Sequence, residues 1–329
     1  MPFELELRRY FTPEAIVRTM ERLPELKTPI IDLFFSDSRN IPRPVVGYKD
    51  LGLPPENLPV VRRGTHSSPM YANGSNITFI EPQPVNPSEF ISGADMNNLR
   101  SLNATSIQQE IDNIIDRLRR GCRATAEAMA IQALTGKIDY WLRGDGGLES
   151  YEVEYGTIGD ASASVTKKFD ATGAKISDVI KAVEAIILAL KARGVDGNNV
   201  IIGCGYDVFA VLCDLIGDTK NSSVAVVSTS GISFGGGFSI SLLPQTYRNL
   251  STQAAVPVVT AKHMLVIDKE AGHKLIYAGL DSLGAGQAAL PFYADYEETK
   301  DPSGVKVIAE SKPLPVVNVK GIVKAQVLT

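Results

Sequence analysis

Residues 105–136 read TSIQQEIDNIIDRLRRGCRATAEAMAIQALTG, the longest run of helical periodicity in this 329-residue chain. Thr105 with Gln108 three places on has the spacing of a capping box, in which two side chains satisfy orphan N–H groups at a helix start. Ile107, Ile111, Ile114, Ile115 and Leu118 follow at the intervals of one buried helix face. Ala126, Ala130 and Leu134 extend that face, and Gly136 stops it, since glycine takes the left-handed C-terminal conformation without strain. At 1.5 Å per residue such a helix spans roughly 45 Å, about two to three times the mean for globular proteins. It predicts a spine on which other elements pack. Gly121, in mid-helix, costs about 1 kcal/mol relative to alanine and marks a candidate bend.

Downstream, Ile138 to Arg143, the turn Gly144 to Gly147, and the alternation of Tyr151, Val153 and Tyr155 with Glu152 and Glu154 predict a hairpin with one buried and one acidic face. A second helix is predicted from an N-cap at Ser177 to Arg193, with Val179, Ile180, Val183, Ile186, Ile187 and Leu190 on its face and Gly194 as stop. Val200 to Gly203 reads as a short buried strand and Tyr206 to Ile216 as a helix. Phe238 to Leu243 reads as a strand entered through Gly235, Gly236 and Gly237. His263 to Ile267 and Lys274 to Ala278 are expected to form a hairpin, with Val305 to Ile308 and Val323 to Leu328 as further strands. Helices and strands alternate irregularly, which predicts an α+β fold.

Upstream the composition changes. Prolines recur at 2, 13, 24, 29, 42, 44, 54 and 55, and each removes a backbone donor and holds its predecessor extended. Residues 1–60 are therefore expected to run as an arm with only brief helical turns. Within it Pro29-Ile-Ile-Asp-Leu-Phe-Phe35 is an apolar anchor, with Leu33, Phe34 and Phe35 suited to docking on another surface or on the same chain. Residues 60–96 turn to Ser, Asn, Gly and Pro around a strand-like run, Asn76 to Ile80, followed by Pro82, Pro84 and Pro87. Ile77 and Phe79 alternating with Thr78 and Ile80 suggest a two-stranded projection, which needs a partner surface because an isolated hairpin is marginal in water. No lysine occurs between Asp50 and Gly136.

The bulk numbers narrow the function. Hydrophobic residues make up 44% and charged residues 21%, ordinary globular usage, and the length suits two core-bearing units. A net charge of −4 offers no phosphate-neutralising surface. The opening MPFELELRRY lacks the apolar run of a secretory signal. The apolar stretch from Val179 to Leu190 is broken by Lys181 and Glu184 and falls short of the ~20 residues that cross a bilayer. No membrane role is expected.

The chemistry-bearing residues form no constellation. Cys122, Cys204 and Cys213 are odd in number and lack CxxC spacing, so they read as buried thiols. His66, His263 and His273 have no metal-ligand spacing and read as solvated loop residues. Gly203-Cys204-Gly205 follows a strand, but Val208 stands where a dinucleotide fingerprint needs its third glycine, and no P-loop lysine follows. Gly235 to Gly237 and the Ser228 to Gly231 stretch read as flexible loops, and Glu149, Glu152 and Glu154 as a solvated face. No enzyme, cofactor or metal is predicted.

The order of arm, extension, spine, hairpin and α+β unit resembles the HK97-like capsid fold of tailed bacteriophages. The local sequence resembles the lambda-type major capsid protein family. Leu33-Phe-Phe35, Val85-Asn-Pro87, Leu134-Thr-Gly-Lys137, Tyr151-Glu-Val-Glu-Tyr-Gly156, Ser233-Phe-Gly-Gly-Gly-Phe238 and Ile308-Ala-Glu-Ser-Lys-Pro-Leu314 carry the likeness, collinear over nearly the full chain. It implies an arm (1–60), an extended loop (61–96), a peripheral domain (97–170 and 286–312) and an axial domain (171–285 and 313–329). It further implies inter-subunit contacts through Leu33, Phe34, Phe35, Ile77, Phe79, Pro82, Pro84, Pro87 and Gly235 to Gly237. The subunit would form hexamers and pentamers of an icosahedral shell around double-stranded DNA, assembled in the host cytoplasm and resident in the virion. A portal, a separate scaffolding protein and a decoration protein are the implied partners, with DNA enclosed non-specifically. One member type of that fold welds its shell through a lysine on the extension. The missing lysine predicts a shell held by contacts alone.

Overall fold

The computed structural model describes residues 12–47, 79–100, 104–144, 146–217, 225–235, 237–250 and 252–329. The helices are α1 (Pro13–Arg22), α2 (Pro29–Phe34), α3 (Gly93–Arg100), α4 (Ala104–Ala133), α5 (Ile176–Lys191) and α6 (Tyr206–Gly217). The strands of the first half are β1 (Asp37–Ile41), β2 (Val46–Gly47), β3 (Phe79–Ile80), β4 (Ser88–Ser92), β5 (Lys137–Gly144), β6 (Gly147–Glu154) and β7 (Gly159–Asp160). Then come β8 (Val200–Cys204), β9 (Ala225–Ser228), β10 (Gly231–Phe234), β11 (Ser239–Leu242), β12 (Thr246–Arg248) and β13 (Ala255–Pro257). The last are β14 (His263–Asp268), β15 (Lys274–Ala278), β16 (Tyr293–Lys300), β17 (Ser303–Glu310), β18 (Pro313–Val316) and β19 (Ile322–Gln326). The mixture is the α+β class read from the sequence.

The described residues fall into two compact units, one of 12–47, 79–127 and 275–315, the other of 128–274 and 316–329. These boundaries group residues by contact. They do not coincide with the arm, loop, peripheral and axial divisions that the capsid likeness implies.

In the first unit, α4 lays Ile111, Ile114, Ile115 and Leu118 into a core with Ile91 of β4, Ala294 of β16, Val305, Val307 and Ala309 of β17, and Ile16 of α1. The sheet beneath is antiparallel, β16-β17-β4. Each large aliphatic side chain so buried contributes roughly 1.5–3 kcal/mol. The spine is 30 residues long and begins at Ala104, so Thr105 lies inside the helix and is not its cap.

The N-terminal segment is more helical than its prolines suggest. Pro13 sits in the first turn of α1, where its missing N–H costs nothing, and Thr12 caps the helix by accepting from Ala15 N–H at 3.2 Å. A row of polar side chains on α4 holds the segment. Asp112 accepts from Thr19 Oγ1 and Arg22 Nη2, each at 3.1 Å. Arg119 donates to the Pro24 carbonyl and Arg123 to Thr28 Oγ1 at 2.9 Å. Glu127 accepts the N–H groups of Ile30 and Ile31 at 2.7 and 3.0 Å. Positions 112, 119, 123 and 127 share one helix face by the i, i+4, i+7 rule.

In the second unit a seven-stranded sheet runs β7-β19-β14-β8-β11-β10-β9. Against it α5 buries Val179, Val183, Ile186 and Leu190, with Ile202, Met264, Val266 and Ala325 from the strands and Val327 just past β19. The cap of this helix falls two residues before the expected one: it is Lys175, and Asp178 reaches back to accept the Lys175 N–H at 3.1 Å, so Ser177 lies inside. The β5–β6 hairpin forms as read, pairing Ile138 with Val153 and Tyr140 with Tyr151. Gly136, at φ +92°, ends the approach to it, and a Cβ there would collide with the Gly156 carbonyl.

The expected pairing of 263–267 with 274–278 does not occur. β14 lies between β19 and β8, whereas β15 lies between β1 and β18 in another sheet. A 3₁₀ turn at Lys269–Ala271 and left-handed Gly272, φ +90°, redirect the chain between them. Met264–Ile267 of the first strand and Leu275–Ala278 of the second are continuously apolar, and such runs carry no signal of which neighbour they join.

The histidine reading also needs correction. His273 is buried, its Nδ1 accepting the Asn318 N–H at 3.3 Å, and burial pushes the imidazole down to about 4. His263 is half-buried on β14, with Thr260 Oγ1 at 2.7 Å from Nδ1. His66 lies outside the described residues.

Candidate assembly surfaces

No described side-chain cluster has the make-up of a catalytic centre. Burial pushes the Cys122 and Cys204 thiols up to about 12, so neither is a thiolate at neutral pH. Cys213 is half-buried, with its thiol also pushed up by burial. Among the described residues no group of three His, Cys, Asp or Glu could hold a metal ion. Among the same residues no helix is long and apolar enough to cross a membrane. What the surface does carry is apolar groups exposed on ordered backbone.

In the first unit, the apolar anchor of the arm is occupied within the chain itself. Ile30, Ile31, Phe34 and Phe35 are buried, and Leu33 is half-buried. β2 and β3 form a short ladder, Val46 opposite Ile80 and Gly47 opposite Phe79. Val46 is buried, whereas Phe79 is 63% exposed; Ile77 lies outside the described residues. Beyond the ladder Pro82 is buried, Pro84 exposed and Pro87 half-buried. Backbone bonds tie this segment down: Val85 exchanges two with Ser311, at 2.8 and 3.0 Å, and the Pro87 carbonyl accepts from Ala309 at 2.9 Å. Phe90 of β4 is exposed nearby in sequence, and Glu89 meets Arg117 of α4 in a two-pronged pair at 2.5 and 3.1 Å.

In the second unit, β9 is the outer strand of the large sheet and carries Val226 at 69% exposure with Val227 also exposed. An edge strand of this kind offers unpaired backbone groups beside apolar side chains. Ser228 to Gly231, read from sequence as a loose loop, is the tight turn joining β9 to β10, closed by Ser228 Oγ donating to the Gly231 carbonyl at 2.8 Å. Gly235 and Gly237 are exposed at the β10–β11 turn, and Gly236 lies outside the described residues. The turn is pinned, with Phe234 and Phe238 stacked at 4.9 Å and the Phe234 N–H bonded to the Phe238 carbonyl at 2.9 Å. Leu148 at the hairpin tip, Leu188 of α5 and Tyr206 of α6 are also exposed in this unit.

The described residues thus form two packed units, each with large apolar side chains exposed on its surface. The family described as Phage major capsid protein E matches residues 12–327. The chain belongs to that family. It is a phage or prophage major capsid subunit, a structural protein of the virion, and the capsid resemblance read from its sequence is borne out. A capsid protein of a prophage of E. coli CFT073 has the same fold, at 15% identity and TM-score 0.61, over 96% of this chain and 99% of that one. Two further solved structures align over most of their length. The capsid of the native GTA particle is 10% identical with TM-score 0.48, over 94% and 93% of the two chains. The bacteriophage PhiM1 mature capsid is 10% identical with TM-score 0.44, over 92% and 87%. No curated protein matches.

Sequence reading missed the β9 edge and the exposed turn at 281–288. A short apolar run flanked by Ser and Gly, as at Ala225 to Ser228, was the available signal for the first.

Proposed function

We propose that copies of this subunit build an icosahedral shell of hexamers and pentamers around double-stranded DNA in a tailed phage or prophage. The family match across 12–327 carries the reading. Residues 1–60 serve as the arm and 61–96 as an extended loop across a neighbour. The peripheral domain is then 97–170 with 286–312, and the axial domain 171–285 with 313–329. The turn at Gly235 to Gly237 stands near the five- and six-fold axes, where a surface without side chains tolerates crowding.

Assembly takes place in the host cytoplasm with a portal and a separate scaffolding protein, and a decoration protein clamps the finished shell. Contacts alone hold it, because no lysine is available between residues 50 and 136 for a covalent weld. The net charge of −4 suits a wall that encloses DNA without gripping its phosphates. Of the proposed contact residues that the structure describes, Phe79, Pro84, Gly235 and Gly237 are exposed and open to a neighbour, while buried Phe34, Phe35 and Pro82 hold their own chain.

Cryo-microscopy of particles from cells producing the subunit with its portal and scaffold tests the reading. Closed shells with rings of six and five copies are expected. Open filaments or subunits that never associate would overturn it.

A further inference from the structure

The most exposed large apolar side chain among the described residues is Leu283, at 99% exposure. It does not ride on a loose loop. Leu283–Ala285 is a 3₁₀ turn, and the backbone leading into it is braced by buried charge. Glu310, itself buried, accepts the N–H groups of Asp281 and Ser282 at 2.7 and 3.0 Å. Lys312, 2% exposed, donates to Asp281 Oδ1 at 2.6 Å. Gly284 lies so close to Tyr293 and Asp295 of β16 that a Cβ would collide with both. Leu280 N–H closes the loop on the Ala288 carbonyl at 3.2 Å. Two buried charged groups, costly to bury unless paired, thus fix a turn whose tip is a leucine wholly in water. Such pre-organisation adds nothing to the hydrophobic core of the free subunit and lowers the entropy cost of docking.

The same unit carries a cleft of about 330 Å³ between α1 and α4, at the small end of ligand-site volumes and sized for a side chain with its turn. Leu23, Leu26, Met20, Pro291 and Phe292 supply its apolar walls. Arg119 and Arg123 line it from α4, and both donate to neutral acceptors: Met20 Sδ and the Pro24 carbonyl for the first, Thr28 Oγ1 and Tyr277 OH for the second. Among the described residues neither forms an ion pair. Of the two acids at the cleft, Asp32 is taken up by the Thr28 N–H and hydroxyl at 3.0 and 2.9 Å, and Glu25 is exposed. Apolar walls backed by two guanidiniums suit an apolar tip with a carboxylate beside it. The Leu283 turn has that form, since Asp281 remains 58% exposed while paired with Lys312.

We propose that the Leu283 turn of one subunit inserts into the α1–α4 cleft of a neighbouring copy, Leu283 against Leu23, Leu26 and Phe292, with Asp281 facing Arg119 and Arg123. Knob and cleft are different surfaces of one chain, so the contact is head-to-tail and propagates around a ring or between rings. The proposal rests on the shell reading above and names a contact within it.

Leu283→Asp tests it in the full chain. The free subunit should melt as wild type does, because the side chain stands in solvent, while shell assembly weakens at least ~30-fold in the manner of a lost hot spot. Shells at wild-type yield from Leu283→Asp would overturn the proposal. The double variant Leu283→Cys/Leu26→Cys, made in a Cys122→Ser background because the free Cys122 also lines the cleft, tests the acceptor: oxidised particles should give subunits disulfide-linked into ladders, and neither single variant in that background should. Assembled particles of the double variant without linkage would overturn it as well. A wild-type chain that forms no shells with its assembly factors would instead refute the shell reading itself.

Discussion

The α2 segment and the Leu283 turn are both short helical turns tipped with large apolar side chains, and they meet opposite fates. Around Phe34 and Phe35 the rings are buried and the backbone is secured by Glu127, which accepts from Ile30 and Ile31. At 281–288 the backbone is secured as firmly, by Glu310 and Lys312, yet the tip stands in solvent. In each case a carboxylate on a regular element binds two successive N–H groups of the turn. The difference lies in what the tip faces. On the proposal above, the ordered turn keeps its leucine in water for a neighbouring copy, whereas α2 satisfies its own fold.

That contrast can be broken by mutation. The largest effect is expected beneath α2's neighbour, the spine: Ile114→Asp places an unpaired charge in the first unit's core and should cost about 5 kcal/mol, read as loss of the cooperative melt. Unchanged stability would mean the buried face is misassigned. Phe35→Ala empties a fully buried aromatic site and should cost about 3–5 kcal/mol in denaturant unfolding.

A pH effect of intermediate size belongs to the second unit. Burial lowers the His273 pKa from 6.5 to about 4, so the unfolded chain binds more protons than the folded one between those values. Stability is then full above about pH 6.5 and falls as pH drops toward 4, by roughly 3 kcal/mol in all. His273→Gln should flatten that part of the profile. A wild-type stability that rises on acidification from 6.5 to 4 would contradict it.

Two smaller effects complete the series. Asp112→Ala removes acceptors from Thr19 and a partly exposed Arg22 in the arm, and should cost about 1 kcal/mol in the same denaturant titration. Leu283→Ala, a deletion of apolar bulk like Phe35→Ala, should change subunit stability by no more than about 0.5 kcal/mol. If the Leu283 and Phe35 variants were equally destabilised, the distinction between a closed and an open turn would collapse.

How much of this was legible follows from the physics of each signal. The spine was readable because Ile111, Ile114, Ile115 and Leu118 repeat at helical spacing, and burial of a stripe is a local property of sequence. The hairpin at 137–154 was readable for the same reason with period two. Strand partners were not, since β14 and β15 are apolar on both faces and their neighbours lie far along the chain. His273 looked solvated because its partner Asn318 stands 45 residues away. The polar row Asp112, Arg119, Arg123 and Glu127 grips the N-terminal segment through partners 93 to 97 residues away in the chain, which local spacing does not reveal. Among contact residues, the sequence pointed to apolar character at Phe34, Phe35 and Phe79 alike, but only three-dimensional packing separates the two buried rings from the exposed one.

Hydrogen exchange compared between the free subunit and assembled shells tests this division most directly. Residues 30–35 should be protected already in the free subunit and gain nothing on assembly, while 281–288 and the cleft residues 20–26 gain protection in the shell. New protection at 30–35 with none at 281–288 would contradict it.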